Sequence, residues 1–130
     1  MMDRKIIHTI EAPPAVGPYS QAVESGNLVF TAGQIPLDPK SGKLIDGDFG
    51  ARVRRVLDNI DAILSEAGTS LKYAVKLTVF LTDLGKFGEL NAVFKQKFAS
   101  MDPPARSAVQ VADLPLGTDV EIECIAEIPR

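Results

Sequence analysis

The sequence predicts an α+β fold of two layers: a mixed sheet of about six strands with two helices on one face. Three observations carry that expectation. Apolar residues recur at steps of three and four over residues 48–67 and 86–99, and they alternate with period two elsewhere. The resulting order is strand-strand-strand-helix-strand-helix-strand-strand. It has no repeat and no linker-like stretch, so residues 1–130 read as a single domain. Helical crossovers within one sheet are normally right-handed, so both helices should cover the same face and leave the other bare. That bare face should carry Phe80 and Ile125 among polar groups, and an apolar surface of this kind predicts an oligomer.

Taken in chain order, residues 4–10 read as a short edge strand that holds the only histidine, His8, at an exposed position. Pro13, Pro14, Gly17 and Pro18 stiffen a loop ending in Tyr19, and residues 20–24 form a second strand. Ser25-Gly26-Asn27 turns the chain into a third strand over residues 28–34, and Asp38-Pro39-Lys40-Ser41-Gly42 is turn chemistry again. In the helix over 48–67, Phe49, Val53, Val56, Leu57, Ile60, Ile63, Leu64 and Ala67 make one apolar stripe. Asp48 is placed to cap it and Gly68 to end it. Arg52, Arg54 and Arg55 read as a solvated face, with Arg54 paired to Asp58 at i,i+4.

Residues 72–82 form the longest strand, with Tyr73, Val75, Leu77, Val79 and Leu81 on one face and Lys76, Thr78, Phe80 and Thr82 on the other. A helix over 86–99 lines up Phe87, Leu90, Phe94 and Phe98, although Gly88 costs its first turn about 1 kcal/mol against alanine. Pro103 and Pro104 end that helix. The strand that follows alternates Ala105, Ser107, Val109 and Val111 against Arg106, Ala108 and Gln110. Leu114-Pro115-Leu116-Gly117 connects to a last strand over 119–128, where Val120, Ile122, Cys124, Ala126 and Ile128 oppose Glu121, Glu123, Ile125 and Glu127.

The bulk numbers exclude several classes. Hydrophobic residues make up 45% of the 130, enough for a real core. A net charge of −3 argues against a surface built to neutralise phosphates, so no nucleic-acid partner is expected. One cysteine allows no internal disulfide and fits a reducing compartment. The charged start lacks the apolar run of a signal peptide, and nothing approaches a membrane span, so a cytoplasmic protein with no membrane partner is expected. One histidine and one cysteine cannot supply a usual zinc set, so no metal is expected.

Arg106 is the first candidate for chemistry. Its neighbours on its own face, Ala108 and Gln110, offer no carboxylate, and a buried guanidinium needs an acid from elsewhere or a ligand. Its planar fork fits a carboxylate best. If the last two strands pair as a hairpin, Glu121 lies on the same helix-free face as Arg106. Otherwise it is one more water-facing acid, and both readings stay open. Asn91 falls on or beside the buried stripe of its helix, where an amide needs a partner. Gly33 leaves bare backbone at a strand end, which suggests a bulge or a close approach by another group. Tyr19 offers a flat wall with a hydroxyl tip, and Cys124 reads as core filling.

Six runs, in order and spanning nearly the whole chain, resemble the Rid (YjgF-type) family, in its reactive intermediate deaminase A branch. They are Gly17-Pro18-Tyr19-Ser20-Gln21-Ala22, Thr31-Ala32-Gly33-Gln34-Ile35-Pro36, Asp38-Pro39-Lys40-Ser41-Gly42, Leu90-Asn91, Pro104-Ala105-Arg106-Ser107 and Val120-Glu121-Ile122-Glu123. The resemblance implies a chorismate-mutase-like fold, a homotrimer with intersubunit clefts, and no cofactor. It implies hydrolysis of 2-aminoacrylate-derived and related 2-imino acids to 2-keto acids and ammonia, the 2-iminobutanoate/2-iminopropanoate deaminase activity. Arg106 would then grip the substrate carboxylate, and Glu121 would orient water and shuttle protons. The Gly33 N–H, Tyr19 and Asn91 would line the site, together with the backbone at Ala108. Beside an arginine, Glu121 should stay ionised near neutral pH. Some family members have serine where Ala32 stands and cysteine where Ala108 stands, so neither a hydroxyl nor a thiol is available there. The alternative is a regulatory trimer that binds small 2-keto or carboxylic acids without turnover, since the same arginine pocket serves both.

Overall fold

The computed structural model describes residues 3–130. Met1 and Met2, which open the charged start, lie outside the described residues. Six strands form one sheet: β1 (Lys5–Ile7), β2 (Ala22–Ser25), β3 (Leu28–Thr31), β4 (Ala74–Leu81), β5 (Ala105–Gln110) and β6 (Val120–Glu127). Their order across the sheet is β1-β2-β3-β6-β4-β5, antiparallel throughout except for the parallel pair β4–β5. Helices α1 (Phe49–Glu66) and α2 (Phe87–Lys97) share one core with Val29 of β3, Leu77, Val79 and Leu81 of β4, and Val120, Ile122, Cys124 and Ala126 of β6. Both helices therefore cover the same face, as the right-handed crossover rule requires.

Helix α1 starts and stops where its sequence directs. The Asp48 carboxylate accepts from the Ala51 N–H at 2.8 Å, and Gly68, at φ +85°, takes the left-handed turn beyond the last residue. Seven of its apolar side chains, Phe49, Val53, Val56, Leu57, Ile60, Ile63 and Leu64, are buried. Each contributes roughly 1.5–3 kcal/mol by leaving water.

Two expectations about pairing need correction, and one further polar contact was not foreseen. Arg52 is not solvated, because its guanidinium forks onto Asp119, with Nε–Oδ1 at 3.0 Å and Nη2–Oδ2 at 2.6 Å, and also donates to the Gly47 carbonyl. It ties the first turn of α1 to the entry of β6. Asp58 is taken by Lys97 of α2 at 2.5 Å rather than by Arg54. Asn59, fully buried inside the α1 stripe, donates to the Leu37 carbonyl at 2.9 Å and accepts from Arg55 Nε at 3.1 Å.

Two further differences arise in the strands. Tyr73 and Val75 are 37% and 45% exposed and do not share the core face of Leu77. A 3₁₀ turn at Leu71–Tyr73, capped by Ser70, leads into a bulge between Ala74 and Lys76, which shifts the alternation by one. The second difference is topological. β6 does not form a hairpin with β5 but inserts between β3 and β4. Its inward set, Val120, Ile122, Cys124 and Ala126, is almost completely buried, which only a central strand allows. β5 has no fully buried residue, as befits an edge.

The face away from the helices carries Ile6, Val23, Phe30 and Ile125 in one row across β1, β2, β3 and β6, continued by Lys76 and Ala105. Phe80 and Val109 lie beside Glu121 in a second row. Phe30 and Val109 are each more than 40% exposed, so the apolar surface expected of this face is present.

Candidate functional site

The candidate residues gather in two places. The first lies at the end of β3. There Thr31 Oγ1 accepts from the Cys124 N–H at 3.0 Å, and the strand then splays away from β6. It re-engages through Gln34, whose N–H donates to the Ile122 carbonyl at 2.8 Å while the Ile122 N–H returns 3.0 Å to Gln34. Gly33 sits in the gap, and the Glu121 carboxylate lies directly against it. A Cβ built on Gly33 would stand 2.0 Å from Glu121 Oε2 and 2.8 Å from its Cδ. The carboxylate occupies the volume a side chain at position 33 would take, so any larger residue there would push Glu121 aside.

Tyr19 closes this end. Its hydroxyl accepts from the Val16 N–H at 3.2 Å, which pins the proline-rich loop across its own ring. Gln21, wholly enclosed, holds the same loop in place. Its Nε2 donates to the Pro13 carbonyl at 2.8 Å and the Thr9 carbonyl at 3.1 Å, while its Oε1 accepts from the Thr9 N–H at 2.8 Å. Nothing in the residue pattern singled out Gln21. The only available sign was a polar side chain preceding a strand that starts with the buried Ala22. Val16, Tyr19, Gly33, Pro115, Leu116 and Glu121 line a cavity of about 500 Å³. Leu116 stands at its lip with φ +56°, a left-handed conformation rare for a branched residue.

The second place is the flank of α2. In the β4–β5 register Arg106 stands beside Leu77, whose side chain is fully buried under the helices. Arg106 is therefore on the helix side of the sheet, not on the helix-free face expected for it. Because β5 is the edge strand, a long side chain there reaches past the core and onto the helix. Its Nη2 donates to Asn91 Oδ1 at 2.8 Å, and its Cζ lies 5.1 Å and 4.9 Å from the ring centroids of Phe87 and Phe94. Asn91 is exposed and not in the buried stripe, which runs through Leu90, Val93, Phe94 and Phe98 and leaves Phe87 out. Among the described residues no carboxylate forms an ion pair with Arg106. A cavity of about 640 Å³ opens beside it, walled by Asn91, Phe94 and Pro104. Burial pulls the Arg106 pKa downward, but from so high a starting value that the group stays a cation. Ala108 lies on the Arg106 side of β5 and packs against the core next to Val79.

Arg106 and Glu121 do not meet within one chain. They lie two strands apart and three residues apart along the strands, about 14 Å between Cα atoms at ordinary sheet spacing, and they face opposite sides. Glu121 shares the helix-free face with Phe80, and no arginine lies beside it to hold it ionised. Burial first, and the neighbouring Glu123 second, push its carboxyl pKa upward instead. Cys124 is pushed up to about 12 by burial and is inert core. His8 is exposed. No group of three or more His, Cys, Asp or Glu among the described residues is placed to hold a metal ion, and none of the described helices is long and apolar enough to cross a membrane.

The geometry defines a two-layer α+β protein with two separate cavities, one lined by Glu121 and the other by Arg106. The family model described as "Endoribonuclease L-PSP" matches residues 9–128. A RutC family protein of Pyrococcus abyssi is 47% identical over 125 residues, covering 96% of this chain and 98% of its own. The mouse 2-iminobutanoate/2-iminopropanoate deaminase is 46% identical over 123 residues, covering 95% of this chain and 90% of its own. Among solved structures, E. coli TdcF with bound serine superposes with a TM-score of 0.90 at 46% identity, covering 95% of this chain and 98% of that one. RidA from the Antarctic bacterium Psychrobacter sp. PAMC 21119 gives a TM-score of 0.91 at 50% identity, covering 95% and 99%. The chain belongs to the Rid (YjgF/RutC) family, and its fold is that family's.

Proposed function

We propose that the protein hydrolyses reactive 2-imino acids and their enamine tautomers, such as 2-aminoacrylate, to 2-keto acids and ammonia. It would do so as a homotrimer in the cytoplasm, with each cleft joining the Glu121 half-site of one subunit to the Arg106 half-site of a neighbour. The observation that carries this reading is the separation of the two halves. Arg106 presents a guanidinium with no acid partner at an open sheet edge, while Glu121 lies over bare Gly33 in a cavity with no cation. A small substrate bearing a carboxylate at one end and an imine at the other would span such a pair. The exposed apolar row of Phe30, Ile125 and their neighbours supports self-association. The 46% identical mouse deaminase supports the reaction class, and the serine bound in E. coli TdcF is a small carboxylate-bearing molecule of suitable size.

The reaction requires few groups. Arg106 holds the carboxylate through two parallel hydrogen bonds, which fixes the imine carbon. Glu121 accepts a proton from a water as its oxygen bonds to that carbon and the C=N electron pair moves to nitrogen. That proton passes to nitrogen to give the carbinolamine. Glu121 then takes the hydroxyl proton and delivers it to nitrogen as the C=O forms and the C–N bond breaks, so the keto acid and ammonia leave and the carboxylate is restored. Burial raises the pKa of the Glu121 carboxyl, which makes its carboxylate a stronger base toward the attacking water than an ordinary glutamate. No metal or organic cofactor enters this scheme.

The deciding experiment is a coupled assay in which an amino-acid oxidase or threonine dehydratase generates the imine. Wild type should accelerate keto acid release, and Arg106→Ala should lose roughly 10²–10⁴-fold, the value of two charge-assisted hydrogen bonds, while staying folded. Full activity in that variant removes Arg106 from its role. The arginine half-site fits a non-catalytic carboxylate sensor equally well. A Glu121→Gln variant that still binds 2-ketobutyrate but loses wild-type turnover supports the enzyme, whereas binding without any turnover by wild type leaves only the sensor.

A further inference from the structure

We propose that Phe87 is a positioning residue for Arg106: its ring, with that of Phe94 and the Asn91 amide between them, holds the guanidinium as a pre-set receptor for a carboxylate. This inference rests on reading Arg106 as the carboxylate anchor. Phe87, Asn91 and Phe94 fall at i, i+4 and i+7 of α2, so they form one column along the helix flank that faces β5. The guanidinium lies over the middle of that column, 5.1 Å from one ring centroid and 4.9 Å from the other, with Asn91 accepting from Nη2 at 2.8 Å. Both rings attract the cation through their electron-rich faces. Among the described residues the fork makes one side-chain hydrogen bond, to Asn91, and its other N–H groups are available to a ligand.

The two rings differ in what else they do. Phe94 is buried and belongs to the core, so packing alone explains it. Phe87 is 41% exposed and lies outside the core cluster, although it starts the helix. What an aromatic ring adds is an attraction for the cation beside it. An arginine without such support would have to give up its rotamer freedom each time it gripped a ligand. The rack removes that cost beforehand and keeps the fork turned toward the open cavity beside Pro104.

The test measures 2-ketobutyrate binding and imine-hydrolysis kinetics for wild type, Phe87→Leu and Phe87→Tyr, with light scattering to check that all three share one mass. Phe87→Leu should bind the keto acid about tenfold more weakly and raise KM by a similar factor, with kcat changing less. Phe87→Tyr, which restores a ring, should return affinity to within about twofold of wild type. In an Arg106→Ala background, Phe87→Leu should have no further effect. Wild-type affinity in Phe87→Leu, alongside a defective Arg106→Ala, overturns the proposal and leaves the anchor standing. An equal loss in the Leu and Tyr variants also overturns it and assigns Phe87 to packing. Failure of wild type to bind 2-ketobutyrate overturns both the proposal and the anchor.

Discussion

The separation of Arg106 from Glu121 makes a sharp demand on mixed assemblies. The two residues lie about 14 Å apart between Cα atoms and face opposite sides of one chain, so the proposed cleft takes them from different subunits. Consider subunits carrying Arg106→Ala and others carrying Glu121→Gln, co-expressed with different affinity tags and purified through both tags in turn. Only assemblies containing both kinds survive. Around a three-membered ring that contains both, one junction in three joins an intact arginine to an intact glutamate in the required order. The doubly purified material should therefore show about one-third of wild-type turnover per subunit, whereas each parent variant alone shows almost none. The assay is the coupled release of keto acid and ammonia, normalised to subunit concentration. Activity no higher than that of the parents, in material shown to contain both tags, would mean that one chain supplies both residues. The two-subunit cleft would then be wrong.

Other expectations follow from single contacts. Gly33→Ala places a methyl 2.0 Å from Glu121 Oε2, but the obstructed atom ends a flexible side chain, so the melting temperature should move by only a few degrees. Activity should fall about 100-fold as the carboxylate is displaced, and a variant with normal kcat/KM would show that its placement is unimportant. Glu121 has a raised pKa in the folded chain, so it binds its proton before the unfolded chain does. The stability this contributes is present below the ordinary glutamate range and is lost as pH rises through the raised value. Unfolding titrations should therefore show wild type losing stability relative to Glu121→Gln across that window, and parallel curves would refute the shift. Cys124, pushed up to about 12 and buried, should resist a thiol reagent at pH 8 until the protein is unfolded, and prompt labelling of native protein would contradict its placement. Arg52→Ala should cost about 1–2 kcal/mol in chemical denaturation, because it releases the fork that joins α1 to β6 at partly exposed positions.

Much of the architecture was legible in residue order because local patterns fix it. The α1 stripe, the Asp48 cap and Gly68 each act within a few residues of themselves, and each stands where the pattern put it. The alternation of Val120, Ile122, Cys124 and Ala126 likewise assigned an inner face correctly. What failed to show depends on contacts distant in sequence. Arg52 finds Asp119 across 67 positions and Asp58 finds Lys97 across 39, so neighbours on the same helix were the wrong place to look for partners. The bulge after Ala74 moves Val75 to the surface without leaving any mark in the apolar alternation. Gly33 was legible as a close approach, yet only the register of β6 tells what approaches it.

The face of Arg106 shows why a correct list of candidate residues can accompany a wrong geometry. Alternation alone separates Arg106 from Ser107 but does not say which of the two looks toward the helices. Pairing β5 with β6 as a hairpin would have set Arg106 beside Glu121. The actual neighbour is β4, in parallel, and its buried Leu77 fixes Arg106 on the helix side. The choice between these pairings is energetic. β6 carries four nearly inaccessible apolar side chains and must lie between two strands, whereas β5 carries a cation and can be stable only at the edge. Once the chain buries β6, the arginine is placed against Phe87, Asn91 and Phe94, and the acid is left over Gly33 on the far face. The same burial that builds the core thus sets the cation and the acid on opposite surfaces of one chain, which is why the proposed cleft calls for a second copy.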